Sequence, residues 1–135
     1  MNQLLNLFLL ICICWLALTG SAIADSLTDA KHAYDTGNYK EAIKLFKPLA
    51  QQGDASAQFY LGLMYGAGQG VPQNYVLAHM WESIAANQVP KNEVQQNAAS
   101  YRDSIAHKMS AHQIAAAQDI ARKCTANQFK GCNQM

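Results

Sequence analysis

Sliding the chain against itself by 36 residues brings Asn38 onto Asn74, Tyr39 onto Tyr75, Ala42 onto Ala78, Ala50 onto Ala86 and Gln52 onto Gln88. A fixed period in this range marks stacked supersecondary units, none of which buries its apolar face alone. The offset predicts an array of repeated units, and the helical spacing of their apolar residues makes each a helix pair with no sheet. The leading helices keep a different offset, since Tyr34 matches Tyr65 at 31 residues. The second unit therefore contains a longer loop than the first.

The second unit spans 55–88. Ala57, Leu61, Met64 and Tyr65 mark one helical face, and Ala78, Trp81 and Ala85 mark another at spacings of three and four. Between them stand Gly66, Gly68 and Gly70, followed by Val71-Pro72. Pro72 stops the first helix from running on. The pattern predicts two antiparallel helices joined by a defined loop. Ala57, Leu61, Gly62, Tyr65, Gly68, Gly70, Val71, Ala78, Trp81, Ala85 and Ala86 together resemble one unit of the Sel1-like repeat family, a relative of the tetratricopeptide repeats. Two positions depart from that pattern. Asn74 stands where the family usually has Asp, a mild change because Asn also caps helices. Gln88 stands where the family usually has Gly, which predicts a different entry into the next helix.

The first unit resembles a plain tetratricopeptide repeat, with its short Gly37-Asn38 turn and the Ala42/Phe46 pair. Ser26 and Asp29 have capping-box spacing ahead of Leu27, Ala30, Ala33 and Tyr34. Asn38 is read as the cap of the second helix, with Glu41 three residues on. Ala42, Leu45, Phe46 and Leu49 form that helix's apolar face, and Pro48 either kinks it or marks its last turns. Beyond Val89-Pro90, Val94, Ala98, Tyr101, Ile105 and Met109 keep a helical face, and Ser110 with Gln113 forms a further capping-box signature. The segment from Arg102 to Cys124 resembles the C-terminal stretch that often follows such repeats in exported bacterial proteins. A solenoid needs such a covering pair, because its open end exposes apolar surface. The predicted helices are 26–36, 39–52, 55–66, 75–88, 91–109 and 111–125. The expected fold is all-α: a right-handed helix-pair solenoid of about two repeats plus a C-terminal helical cap.

Residues 4–18 are almost wholly apolar, too short a run for a bilayer span, which takes about 20 residues. Ala22-Ile23-Ala24 follows before Asp25, which is the small-residue pattern of a signal-peptide cleavage site. The positive n-region is missing. The expected organisation is a cleaved signal over 1–24 and one repeat domain over 25–135; the alternative is an uncleaved membrane anchor. The expected location is periplasmic or secreted. Cys12 and Cys14 leave with the signal, and Cys124 and Cys132 remain. An even pair in an exported chain is a disulfide candidate. The rival is a zinc pair, for which two thiolates without nearby histidines make a poor tetrahedral set.

The formal charge is +1, so no electrostatic footprint for nucleic acid exists. His32, His79, His107 and His112 fall into no metal-protease spacing. His107 and His112 straddle the turn at Ser110, where a solvated helix end is the ordinary reading and a shared metal the other. His79 is read as a rim residue. Glu82 and Glu93 have no acidic partner at useful spacing. The glycines at 66, 68 and 70 lack the strand and the Lys-Ser/Thr of a phosphate loop. No catalytic residue, metal or cofactor is expected.

The resemblance implies a scaffold that binds another protein or a cell-envelope component. In such arrays the leading helices of successive pairs line the concave face. The positions expected to be left outward there are Lys31, Gln58 and Tyr60, with Tyr60 either meeting a partner or covering the neighbouring helix pair. Trp81 and Leu61 are expected in the core. An enzymatic alternative comes from cysteine-rich relatives linked to penicillin binding and β-lactam hydrolysis, which carry paired cysteines in every repeat, unlike this chain. A purely structural envelope role is the third possibility.

Overall fold

The computed structural model describes residues 25–88 and 90–132. The expected export signal, 1–24, lies outside the described residues. Among the described residues the chain forms six helices and no strand. They are α1 (25–35), α2 (Tyr39–Gln51), α3 (Ala55–Ala67), α4 (Tyr75–Ala86), α5 (Glu93–Ala106) and α6 (Ala111–Ala126).

Local chemistry sets the helix ends. Asp54 accepts from Ala57 N at 2.7 Å and Asn74 accepts from Leu77 N at 3.0 Å, each satisfying a backbone donor left free at a helix start. Ser110 and Gln113 form the reciprocal pair expected of a capping box. Asn92 and Gln95 form another, which starts α5 later than the expected 91. Asn38 corrects an expectation. Its φ and ψ of −80° and 64° lie outside the extended region from which a side chain caps, and no side-chain cap bond forms. Glu41 faces Lys44 instead, at 3.5 Å. Ser26 likewise lies inside α1 rather than ahead of it, since the helix is already formed at 25. Pro48 sits within the final turns of α2, which ends at Gln51.

The core follows from stacking. Trp81, Phe46, Leu61, Met64 and Met80 are fully enclosed. Helix α4 is the centre of the molecule: it packs on α3, α5 and α6, and every residue from Ala78 to Ala86 is buried. Gly62 permits the closest approach. A Cβ there would overlap the Glu82 carboxyl and lie 2.7 Å from its Cγ. The long loop of the second unit folds back onto the first. Gly70 holds a φ of +72°, and a Cβ there would lie 2.6 Å from the Tyr39 carbonyl oxygen at the start of α2.

The expected covering helices are present, but they do not pack as a mutual pair. Helix α5 lies on α4 and also touches α3, while α6 lies on α4 alone and barely meets α5. Each has one narrow buried stripe, Gln95, Ala98 and Ile105 on α5, and Ala117, Ala121 and Cys124 on α6. Both stripes are used against the body of the array, so none remains for the other helix.

Cys124 and Cys132 are joined in a disulfide with their Cα atoms 5.2 Å apart, and both are fully buried. The bonded geometry favours the disulfide over the zinc alternative. Inside the loop it closes, Gln128 and Phe129 take φ values of 53° and 64°, a region that side-chain-bearing residues rarely enter. Phe129 N donates to Cys124 O at 2.9 Å. Its ring reaches the turn between α2 and α3, where a Cβ on Gly53 would stand 3.2 Å from the ring.

Candidate binding site

The parting of α5 from α6 leaves an open cleft of about 980 Å³. Its floor is the face of α4 carrying His79, Ser83 and Asn87. One wall is α5, with Arg102 and Asp103; the other is α6, with Gln118, Arg122 and Thr125. Phe129 from the disulfide loop closes one end.

The floor is polar but almost enclosed. His79 and Ser83 are 3% and 7% exposed, and the Ser83 Oγ lies 3.3 Å from His79 Nδ1. Burial, aided by the Arg102 charge, lowers the His79 pKa, so the ring is neutral at pH 7. This corrects the reading of His79 as a rim residue: α4 is covered on three sides, so a polar side chain beside Ala78 has no rim to reach. Among the described residues no carboxylate is hydrogen-bonded to the other ring nitrogen, the contact that orients a general base.

The walls carry the charge. Arg102 donates through Nε and Nη2 to Asp103 Oδ1 at 3.0 and 2.8 Å, so this pair is neutralised. On α6, Asp119 accepts from Lys123 at 2.7 Å and from Arg122 at 3.2 Å. The bond from Lys123 holds the Asp119 carboxyl below its ordinary pKa. Behind Arg102 lies Glu82, fully buried, with neither carboxyl oxygen hydrogen-bonded. Its desolvation pushes the pKa well above the ordinary 4.5, against the pull of Arg102.

The surface expected on α1 and α3 has a different character. Lys31 and Tyr60 are brought together, with the ammonium 5.9 Å from the ring centroid. Tyr60 stacks on Phe46 at 4.8 Å and meets Tyr34 edge-on at 5.0 Å. Gln58 corrects the expectation: it is fully buried and cannot face a partner. Its Nε2 donates to Ala50 O at 3.0 Å, and its Oε1 accepts from Gln88 Nε2. Gln88, the departure from the repeat pattern, thus supplies the partner that makes a buried glutamine tolerable.

A family model described as Sel1 repeat matches residues 33–54 and 55–90. The chain carries two Sel1 repeats. No curated protein and no solved structure matches it. Sel1 repeats are in general protein-interaction scaffolds. The second Sel1 repeat contains α3, the glycine loop and α4, so it supplies the floor of the cleft. The walls come from α5 and α6, beyond both matched repeats. The repeats themselves contain no cysteine.

Reading the sequence missed the cleft, because its floor residues are polar positions on a helix taken to be half exposed. One signal was available: α4 is apolar or small nearly all round in Ile84-Ala85-Ala86 and Ala78-His79-Met80-Trp81, the composition of a helix covered on all sides. Among the described residues no group of three or more metal-ligating side chains gathers, and His107 and His112 are exposed. No described helix is long and apolar enough to cross a membrane.

Proposed function

We propose that the chain is an exported adaptor that binds a protein or cell-envelope component through the cleft between α4, α5 and α6. The observation that carries this is the cleft itself: about 980 Å³ left open by helices that each lean on α4 and barely on each other. Large concave sites with a few convergent polar groups are where proteins hold ligands. Export rests on the Ala22-Ile23-Ala24 pattern and gains support from the disulfide, a bond that persists in oxidising compartments. A binding role, rather than hydrolysis, is favoured by repeats that lack the paired cysteines of the β-lactam-linked relatives.

Lys31 and Tyr60 form a second candidate surface, favoured by their direct contact. The aromatic stacking makes Tyr60 a packing residue first, so Tyr60→Ala is expected to lower thermal stability. Capture from intact envelope separates the two surfaces. Partners recovered with the unaltered protein are expected to vanish with Gln118→Ala combined with Arg122→Glu, two exposed sites whose change should lower the melting curve only slightly, by the Arg122–Asp119 pair. Partners that persist in that variant and vanish in Lys31→Glu would move the function to the α1–α3 surface.

A further inference from the structure

The floor of the cleft is a row of side chains one helical turn apart. His79 and Ser83 on α4 and Asn87, the helical-φ/ψ residue that caps its end, follow one another at i, i+4 and i+8. Such positions rise by about 6 Å per step. In an extended chain, peptide groups of the same orientation recur every second residue, at about 6.6–6.8 Å. The row therefore matches the repeat of an extended main chain over roughly four residues. Each member has hydrogen-bonding capacity left. Asn87 is exposed and offers both a donor and an acceptor, and Gln118 offers the same from the facing wall. His79 engages Ser83 through Nδ1, which leaves its Nε2. An almost fully enclosed polar ring facing an open cleft is a group already stripped of water and ready for a ligand.

Charge and volume narrow the ligand. Arg102 is matched by Asp103, but on α6 two cations, Arg122 and Lys123, share the single carboxylate of Asp119. Among the described residues one positive charge is left over at the mouth, and Arg122 is the member that lines the cleft. A volume of about 980 Å³ stands at the upper end of pockets for compact small molecules, commonly 300–1,000 Å³. Among the described residues Phe129 is the only Phe, Tyr or Trp on the lining, and its ring lies against Gly53 rather than free for a sugar ring.

We propose that the cleft holds an extended peptide segment bearing a carboxylate, its main chain met by Asn87, Gln118 and the α4 row, and its acid met by Arg122. This rests on the reading of the cleft as the binding site, and names what enters it.

The test is selection of random linear 12-residue displayed peptides on the purified, disulfide-bonded protein. The enriched sequence is then synthesised with a fluorescein label and titrated by fluorescence polarisation. A shared acidic residue is expected. Binding should weaken at least tenfold with Asn87→Ala plus Gln118→Ala, and at least tenfold with Arg122→Glu, while Lys44→Glu on exposed α2 changes nothing. Replacing the peptide's acid by lysine should restore binding to the Arg122→Glu protein. Circular dichroism confirms that each variant remains helical. The proposal is overturned if no peptide is enriched, if the enriched peptide ignores the cleft variants, or if chito-oligosaccharide binds the cleft in its place. Envelope partners lost in the same variants, with no peptide enriched, would sink this inference while leaving the adaptor reading standing.

Discussion

The α3–α4 seam and the α5–α6 end use helices of similar length and pack them in opposite ways. At the seam Gly62 removes a side chain, the helices close, and the Glu82 carboxyl fills the gap so created. At the far end neither α5 nor α6 contains a glycine, the helices part, and about 980 Å³ of cleft remains between them. The seam is held by burial. The end is held by the disulfide and by each helix's separate hold on α4. A repeat thus carries its closure in its own residues, whereas the covering helices borrow theirs from the repeat. What is left unpacked by that borrowing is the candidate site.

If the seam is the stable half, Trp81→Ala should do the most harm. The ring is fully enclosed, and its loss should cost about 3–5 kcal/mol, read from urea denaturation at constant slope. A loss under about 1 kcal/mol would place the main stabilising contact elsewhere. Removing the bridge tests the other half. Replacing both Cys124 and Cys132 with alanine should cost about 2.5 kcal/mol by the chain-entropy account. Hydrogen exchange should then accelerate in α6 before α3 and α4; uniform acceleration would mean that the two halves do not differ. Gly62→Ala addresses the seam directly. Glu82 is fully buried, so a loss of about 1–3 kcal/mol is expected.

The most specific effect belongs to Glu82→Gln. The folded chain holds the Glu82 proton to a higher pH than the unfolded chain does. Between the ordinary carboxylate range and that higher folded-state value, the unfolded state alone has released its proton. Stability contributed by this group is therefore complete in acid and falls as pH rises through that window. His79, with its lowered pKa, pulls the other way, losing stability as pH falls below about 6.5. Subtracting the Glu82→Gln curve from the wild-type curve isolates the carboxyl. The glutamine variant should be the more stable at neutral pH, and a flat difference would show that Glu82 is ionised in the folded protein.

The helices were legible because their signals are local. Ser110 with Gln113 and Asn74 ahead of Tyr75 announce their own caps, and Ala78, Trp81 and Ala85 announce one face. Asn38 shows the limit of such signals: the right residue in the right place does not cap when the backbone turns it away. Gln58, His79 and Glu82 were not legible. A polar residue next to an apolar stripe reads as outward, and only the neighbouring helices of the fold bury α3 and α4 on their polar sides as well. The cleft was out of reach for a related reason. It arises where two helices fail to meet, and periodicity reports what a helix buries, not which neighbour it lacks.

The Phe129 ring lies against Gly53, so the final loop of the domain rests on the turn that ends its first unit. Open-ended arrays lengthen by copying a unit, because every unit sees only its neighbours. Here one more helix pair inserted between α4 and α5 would carry α6 and its disulfide loop away from that turn. The contact would be lost, and with it the closed end of the cleft. A duplicated repeat would therefore be penalised at a contact it never touches.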